Sequence, residues 1–268
     1  MKKSFVISLF GRFGNNLSQI ALGKYLSEMG CRVSFDITQL GKNPVVLRIP
    51  FLQDYITPRI RIRSRYFPSI DGRIGFFGKL LRSLGFPFKV VVESTGTDLL
   101  HFELASSSWL HGYWQKTDYS RSLVEELRQE FSTKITSDVI RVHVRRGDYL
   151  GNESYLANKY YVSALNQVVS DSRFSRLSVE IISDQPELCH GEFDIPGVSV
   201  TYLPLGDPIE DFRKLARSRV LVCSRSSFSW WAGLSSIGSI YYPKDWGLGV
   251  DAQTATLYSE WIPVEIKS

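Results

Sequence analysis

Hydrophobic residues near the N-terminus follow two periods in succession. Residues 5–9 are a mostly apolar run that predicts a buried strand, and the turn GRFGNN follows it, although at residue 10 a phenylalanine precedes that turn. A helical period comes next, with apolar side chains at Leu17, Ile20, Ala21, Tyr25 and Met29. A second strand is predicted over residues 33–36. This β-α-β start places backbone N–H groups at a helix N-terminus, where a phosphate or a sugar hydroxyl can bind.

From residue 138 onwards, short apolar strands alternate with helical patterns. The predicted strands cover residues 139–144, 178–183, 198–203, 220–223 and 239–242. The predicted helices between them cover residues 159–169, 208–217 and 228–235. This alternation is typical of a parallel sheet covered by helices. The polar stretch 132–138 precedes it, so we predict two domains, residues 1–135 and 136–268.

Residues 40 to 110 have a less regular pattern, with scattered prolines and short apolar patches. Within this segment, residues 73–86 have the period of an amphipathic helix with basic residues off its apolar face. The apolar face consists of Phe76, Phe77, Leu80, Leu81 and Leu84. Such a helix can lie on an anionic membrane. The commoner interpretation is a helix that packs its apolar face inward.

The composition excludes several classes of protein. With 268 residues, 43% of them hydrophobic, the chain can bury a large core. Three cysteines at unrelated spacings indicate reduced thiols and a reducing compartment rather than a disulfide framework. The early glycines favour a first strand over a signal peptide. The net charge of +5 suits an anionic ligand, a nucleic acid or an acidic membrane surface.

The stretch VHVRRGDY carries the clearest chemical signal. Its apolar strand ends in Arg145 and Arg146, followed by Gly147 and Asp148. Guanidinium groups at a strand end are bidentate donors for a phosphate. Because adjacent strand residues point to opposite faces, one arginine can reach a ligand while the other pairs with a carboxylate such as Asp148. A purely structural ion-pair cluster is the alternative.

Further candidates lie within or after the predicted strands and helices, each with a structural alternative. Ser226 and Ser227 can cap a helix and bind phosphate oxygens, or serve only as the cap. His143, Asp184 and Asp211 can hydrogen-bond a base or a hydroxyl, and carboxylates suit guanine, but each also fits a structural role. The four histidines lack metal-ligand spacing, and there is no Asp-x-Asp motif, so we expect a metal-independent site without a cofactor.

Five ordered motifs resemble those of the α-1,2-fucosyltransferases, the family 11 glycosyltransferases, and of their bacterial members in particular. They are GRFGNNLSQIA from Gly11, HGYWQ from His111, HVRRGDY from His143, SSFSWWAG from Ser226 and YPKDW from Tyr242. The resemblance covers about residues 10 to 246, apart from the basic segment 40–105. It implies two facing Rossmann-like domains of the GT-B type, with GDP-L-fucose bound mainly by the C-terminal half.

The resemblance also implies roles for individual residues. Arg145 is the predicted catalytic contact to the β-phosphate, and His143 and Asp211 are predicted to hold the guanosine. The resemblance also predicts that Ser226, Ser227 and Phe228 bind the pyrophosphate region.

The N-terminal half is predicted to face the reacting centre and the acceptor. Asn15 is the second predicted catalytic residue, and Gly14 and Asp184 complete the donor-binding set. Two positions depart from the family pattern: Asn16 replaces a glutamine, and Arg225 replaces an asparagine.

The resulting hypothesis is an inverting transfer of L-fucose from GDP-β-L-fucose to a hydroxyl, such as O2 of galactose, on a glycan acceptor. Bacterial relatives commonly modify lipid-linked polysaccharide repeat units, which predicts a cytoplasmic protein with peripheral contact to the inner membrane face. Three alternatives stay open: another GDP-sugar transferase, a silent sugar-nucleotide-binding homologue, and a basic nucleic-acid-binding protein. Scattered arginines, without a stripe of stacking aromatics, argue against nucleic acid.

Overall fold

A computed structural model of the chain describes residues 3–60, 89–93, 107–132, 134–135, 137–193, 195–246 and 261–266. The amphipathic pattern over residues 73–86 lies outside the described residues. The chain divides into two compact units, Met1–Leu123 and Val124–Ser268. The boundary between them falls within a helix, Thr117–Phe131. The division at residue 135 into acceptor-side and donor-binding domains stays a prediction.

The first unit is built on a parallel sheet. Its strands are β1 (Ser4–Ser8), β2 (Arg32–Asp36), β3 (Lys89–Val92) and β4 (Ser107–His111), in the order β2-β1-β4-β3. Its helices are α1 (Phe13–Glu28), α2 (Pro50–Ile56) and the start of α3 (Thr117–Phe131), with 3₁₀ turns at Val45–Arg48 and Thr57–Arg59. The predicted β-α-β start is confirmed. Its core side chains, such as Leu17 and Ile20, are fully buried.

Among the described residues, the second unit contains a six-stranded parallel sheet. Its strands are β5 (Ser137–Val144), β6 (Ser178–Ser183), β7 (Val200–Tyr202), β8 (Ser218–Val222), β9 (Ser239–Pro243) and β10 (Trp261–Val264), in the order β10-β9-β8-β5-β6-β7. Its helices are α4 (Asn158–Ser170), α5 (Pro208–Ala216) and α6 (Ser227–Ser235), with 3₁₀ turns at Gly147–Tyr149 and Pro186–Leu188. This is the strand order of a Rossmann fold. The predicted α/β class is confirmed, whereas the facing GT-B arrangement stays a prediction.

Both sheets contain a point where the chain reverses its direction of travel across the strands. In the second unit the chain runs outward from β5 to β7 and then returns to β8 on the other side of β5. In the first unit the corresponding neighbours are β1 and β4. Ligands of open α/β sheets bind outside the carboxyl ends of the strands at such points. A ligand site is therefore expected at the residues that follow β5 and β8, and at those that follow β1 and β4.

Candidate active site

Strand β5 sorts its side chains onto two faces of the sheet. Ile140, Val142 and Val144 join the buried core that includes residues of α4. On the other face, the Arg141 guanidinium donates to the carbonyl oxygen of Lys214 in α5. His143 is on the same face as Arg141 because the strand alternates. The same alternation continues past the end of the strand, so the side chains of Arg145 and Arg146 point to opposite faces of the sheet.

Arg145 is held by two carboxylates at the carboxyl end of β5. Its Nη1 lies 3.0 Å from Oδ2 of Asp184, which follows β6, and its Nη2 donates to Oδ1 of Asp148. The side chain is 11% exposed, and the guanidinium lies over the Tyr149 ring. Its buried Nε–H has no acceptor among the described residues. The guanidinium is thus fixed in place and has an unmet donor, as expected where an anion binds.

Asp184 uses both of its carboxylate oxygens within the protein. While Oδ2 pairs with Arg145, Oδ1 accepts from the backbone N–H of Arg146 at 2.9 Å. A Cβ at Gly147 would overlap this carboxylate, and Gly147 has a φ of +21°, so a glycine is required there. These contacts make Asp184 a positioning residue for Arg145. Its assignment to direct donor contact stays a prediction.

Arg146 is buried on the opposite face and bonds only within the protein in the contacts described. It donates to the carbonyl oxygen of Leu156 at 2.9 Å and to the side chain of Asn158. The Tyr155 and Tyr161 rings lie 5.1 and 5.5 Å from its guanidinium carbon. Arg146 therefore anchors the loop that precedes α4, and Arg145 is the arginine at the candidate anion site.

His143 is a buried, neutral hydrogen-bonding group beside Arg145. Its Nδ1 lies 2.9 Å from the Ser224 hydroxyl, and its ring is tilted against Phe228 at 5.2 Å. Burial, reinforced by the positive charge of Arg145, lowers the pKa of His143 to about 3. The imidazole is uncharged near neutral pH, so it can orient a polar ligand group but does not supply positive charge.

The loop after β8 leads into the N-terminus of α6. Ser226 is the N-cap, and its hydroxyl accepts from the backbone N–H of Phe228 at 3.3 Å. Ser227 is the first residue of the helix. The capped N-terminus of the helix lies at the β5–β8 reversal point, on the side where Phe228 contacts His143. The structure thus brings together Arg145, His143 and the predicted pyrophosphate-binding residues.

Arg225 ties this loop to two other segments. Its Nε–H and Nη1–H donate to the carbonyl oxygens of Asp245 and Glu153 at 2.8 and 2.7 Å. Its Nη2 lies 3.2 Å from the Asp245 carboxylate, and the side chain is mostly buried. Where the family pattern has asparagine, this chain therefore has a residue that joins three loops.

Asp211 lies on α5 and makes no direct contact with Arg145 or His143 in the contacts described. It is buried beside the backbone of Gly206, where a Cβ would overlap its carboxylate, and Lys214 Nζ lies 3.4 Å away. Burial raises the pKa of Asp211, and Lys214 opposes the shift. Its link to the other candidates is indirect, through the edge-on contact of Phe212 with Phe228. Its role toward a base stays a prediction.

The glycine turn of the first unit is tied to the HGYWQ motif. The Asn15 side-chain oxygen accepts from the Gln115 amide at 3.0 Å. Gly11, with a φ of +79°, allows Asn15 to pack against its backbone. Asn16 donates to the carbonyl oxygen of Phe10 at 2.9 Å and is buried, and Gly14 is buried in the first turn of α1. Asn15 and Gly14 thus lie at the β1–β4 reversal point of the first unit.

Two absences hold for the residues that the structure describes. That part of the chain contains no group of three or more His, Cys, Asp or Glu side chains arranged to hold a metal ion. No helix within it combines the length and hydrophobicity required to cross a bilayer.

The strand order is that of a Rossmann-type protein, and the arginine–serine site at its strand edge is a candidate for anion binding. Residues 91–246 match the sequence model of glycosyl transferase family 11, and the chain belongs to that family. The family resemblance of the motifs is confirmed. The chain is 29% identical over 142 residues to an α-1,2-colitosyltransferase of Escherichia coli, an alignment that covers 45% of this chain and 48% of that protein. The chain thus spans about half the length of this curated relative.

Solved structures with similar folds include two fucosyltransferase complexes. NodZ α-1,6-fucosyltransferase soaked with GDP-fucose is 17% identical, with a TM-score of 0.47 over 88% of this chain and 93% of that chain. POFUT1 in complex with GDP-fucose is 11% identical, with a TM-score of 0.49 over 90% of this chain and 97% of that chain.

Proposed function

We propose that the protein is an inverting glycosyltransferase that moves L-fucose from GDP-β-L-fucose to a hydroxyl of a glycan, such as O2 of galactose. The main supporting observation is Arg145, fixed by Asp184 and Asp148 at the β5–β8 reversal point. Membership of glycosyl transferase family 11 supports the reaction class. The geometry suits a donor whose leaving group is a diphosphate.

In the proposed reaction, Arg145 stabilises the leaving group. Glycosyl transfer passes through an oxocarbenium-like transition state, so negative charge develops on the departing diphosphate. A preorganised guanidinium is most effective where charge develops during the reaction. The backbone N–H groups at the start of α6 add further donors, and neutral His143 orients the nucleotide. In this proposal, arginine supplies the charge that a metal ion would supply elsewhere.

Asp148 competes with the phosphate for Arg145. Its side chain is 55% exposed, whereas that of Asp184 is 19% exposed, so Asp148 is the partner that can move aside. We therefore expect the diphosphate to take over the Nη2 donor while Asp184 keeps its hold on Nη1. The exchange conserves the number of charged hydrogen bonds to the guanidinium.

Variants of Arg145 test the proposal. Arg145→Ala should lower turnover of GDP-fucose about 100- to 1000-fold, as removal of one preorganised donor does elsewhere. Arg145→Lys should recover only part of the loss because lysine lacks the bidentate fork. Asp148→Asn should not weaken GDP binding. The matched control is Arg173→Ala, which removes an exposed arginine of the same unit that pairs with Asp171. Near-native turnover by Arg145→Ala would contradict the assignment.

The donor is identified by thermal shift with GDP, GDP-fucose, GDP-mannose and UDP-sugars, with and without EDTA. Stabilisation by guanine nucleotides alone, unchanged by EDTA, is the expected result. Stabilisation only by UDP-sugars, or only with a divalent metal, would contradict the proposal. A gel shift on DNA or RNA with no response to GDP would favour the nucleic-acid alternative.

A second candidate is transfer of colitose, which the 29% identical colitosyltransferase favours. Colitose is L-fucose without its 3-hydroxyl. A site that hydrogen-bonds this hydroxyl should discriminate strongly against the deoxy sugar because a buried polar group would be left unpaired. The comparison of GDP-fucose with GDP-colitose in one turnover assay distinguishes the two candidates.

We further propose that the acceptor is a lipid-linked polysaccharide repeat unit and that the protein works at the inner face of the cytoplasmic membrane. The positive net charge and the basic amphipathic pattern over residues 73–86 support this location.

A further inference from the structure

Three aromatic rings cluster at the β1–β4 reversal point of the first unit. The Phe10 ring follows β1 and stacks on His111, the last residue of β4, at 4.4 Å and 12°. The Tyr113 ring contacts Phe10 at 5.1 Å and is tilted by 39°. We call Phe10, His111 and Tyr113 the aromatic edge. It occupies the position in the first sheet that the Arg145 site occupies in the second.

Tyr113 is the exposed member of the aromatic edge, whereas Phe10 and His111 are half-buried, and the loop that carries Tyr113 is firmly anchored. Tyr113 is 46% exposed. Yet the Glu93 carboxylate accepts from the backbone N–H groups of Tyr113 and Trp114, and the Trp114 ring is completely buried. A Cβ at Gly112 would overlap Glu93, so the close approach of carboxylate and loop requires that glycine.

Backbone strain accompanies this anchoring. Trp114 has a φ of +55°, in the left-handed region that bulky residues rarely adopt. Such conformations persist only where the surrounding structure enforces them, and they concentrate at functional sites. Here the Glu93 contacts and the buried Trp114 ring enforce the conformation and so fix the backbone next to Tyr113. An exposed aromatic residue on a fixed loop binds a ligand with little loss of side-chain entropy.

The groups around the aromatic edge suit an uncharged polyhydroxyl ligand. The Asn15–Gln115 pair of side-chain amides lies at the same reversal point, so polar amide groups accompany the aromatic edge. A sugar ring has a face of C–H groups that packs on the electron-rich face of an aromatic ring, while its hydroxyls bond to amides. The second unit presents Arg145 at the matching position, which is the chemistry for phosphate.

We infer that the aromatic edge binds the acceptor glycan, with an uncharged sugar ring stacked on Tyr113. This inference rests on the proposed function, since only a glycosyltransferase requires an acceptor. Arg12 is exposed in the same turn, so an acidic ligand is the competing possibility for this edge.

Glycan binding tests the inference directly. The full-length protein is applied, with and without GDP, to an array of β-galactoside, α-mannoside and sialylated oligosaccharides. Wild type should bind uncharged glycans, and Tyr113→Ala should weaken that binding about tenfold, as loss of one aromatic contact does elsewhere. Tyr113→Phe should retain it because the ring remains. The control is Met29→Ala, which removes an exposed apolar side chain just after the other end of α1.

The outcomes distinguish this inference from the proposed function. GDP-fucose hydrolysis without acceptor should be the same in wild type and Tyr113→Ala, whereas its absence in wild type would count against the proposed function. Equal glycan binding by wild type and Tyr113→Ala would overturn the inference, as would the absence of any glycan binding. Binding restricted to sialylated glycans, lost in Arg12→Ala and retained in Tyr113→Ala, would also overturn it.

Discussion

His143 contributes to stability in a way that depends on pH. Its folded-state pKa of about 3 lies below the ordinary value of 6.5, so the unfolded chain binds the proton more readily. The stability that neutral His143 provides is complete above pH 6.5 and is lost as the pH falls toward 3. When the pH is lowered from about 7.5 to about 5, protonation linked to this residue should therefore decrease the unfolding free energy by about 2 kcal/mol.

Urea titrations across this pH range measure the effect. His143→Gln should have a shallower decline in unfolding free energy than wild type, because glutamine does not titrate. His190→Gln, at an exposed histidine, is the matched control for the loss of an imidazole. Parallel curves for wild type and His143→Gln would show that His143 is protonated without penalty in the folded protein.

Sequence patterns could predict individual site residues where a strand end determines their position. Arg145 could be found because an alternating apolar run ends just before it. Glu93 and Gln115 could not, because their roles depend on contacts with residues 20 and 100 positions away in the chain. A glutamate after a short apolar run has no sequence feature that reveals which backbone groups it will bind. Only the sheet order brings those groups together.

Arg225 holds separate segments of the chain together, because it joins the loop before α6 to the segments around Asp245 and Glu153. Arg225→Ala should lower the unfolding free energy by about 2 kcal/mol, because several hydrogen bonds from a largely buried charge are lost. It should also raise the KM for the donor more than it lowers kcat, because the helix N-terminus would be less well positioned. Thermal unfolding and donor titrations measure both effects.

The control for Arg225 is Arg173→Ala. Arg173 pairs with Asp171, but its side chain is 62% exposed, so its loss should change stability by less than about 1 kcal/mol. Arg225→Lys separates charge from geometry: lysine keeps the charge but cannot reproduce the fork, so it should resemble alanine in donor KM. A wild-type donor KM in Arg225→Ala would show that the loops hold their positions without it.

Whole strands and helices could be predicted from the sequence where their hydrophobic periodicity is uninterrupted. The strands and helices of the second unit from β5 to β9 match the predicted alternation, although β7 is shorter than predicted. The last strand, β10, escaped prediction because Pro263 interrupts it. In the structure β10 is at the edge of its sheet, where a residue without an N–H is tolerated. Helix α3 contains the boundary between the two units, and no motif marks it.

At the scale of the whole molecule, the net charge of +5 favours binding to an acidic membrane surface. The net charge does not show which part of the protein would contact that surface. Two mechanisms are possible: general attraction by scattered basic residues, or insertion of one amphipathic segment. They differ in their salt dependence. General attraction is screened at high ionic strength, whereas burial of apolar side chains is not.

Our membrane proposal assigns the contact to the second mechanism, through the amphipathic pattern over residues 73–86. The full-length protein should sediment with vesicles that contain anionic lipid, and part of the binding should survive high salt because Phe76, Phe77 and their apolar neighbours insert. The double variant Lys79→Glu with Arg82→Glu should lose this binding. Arg173→Glu with Lys244→Glu changes the net charge equally at two exposed positions and should retain it. Equal loss in both double variants would assign membrane attraction to overall charge, and recovery of wild type in the supernatant at low salt would contradict membrane contact altogether.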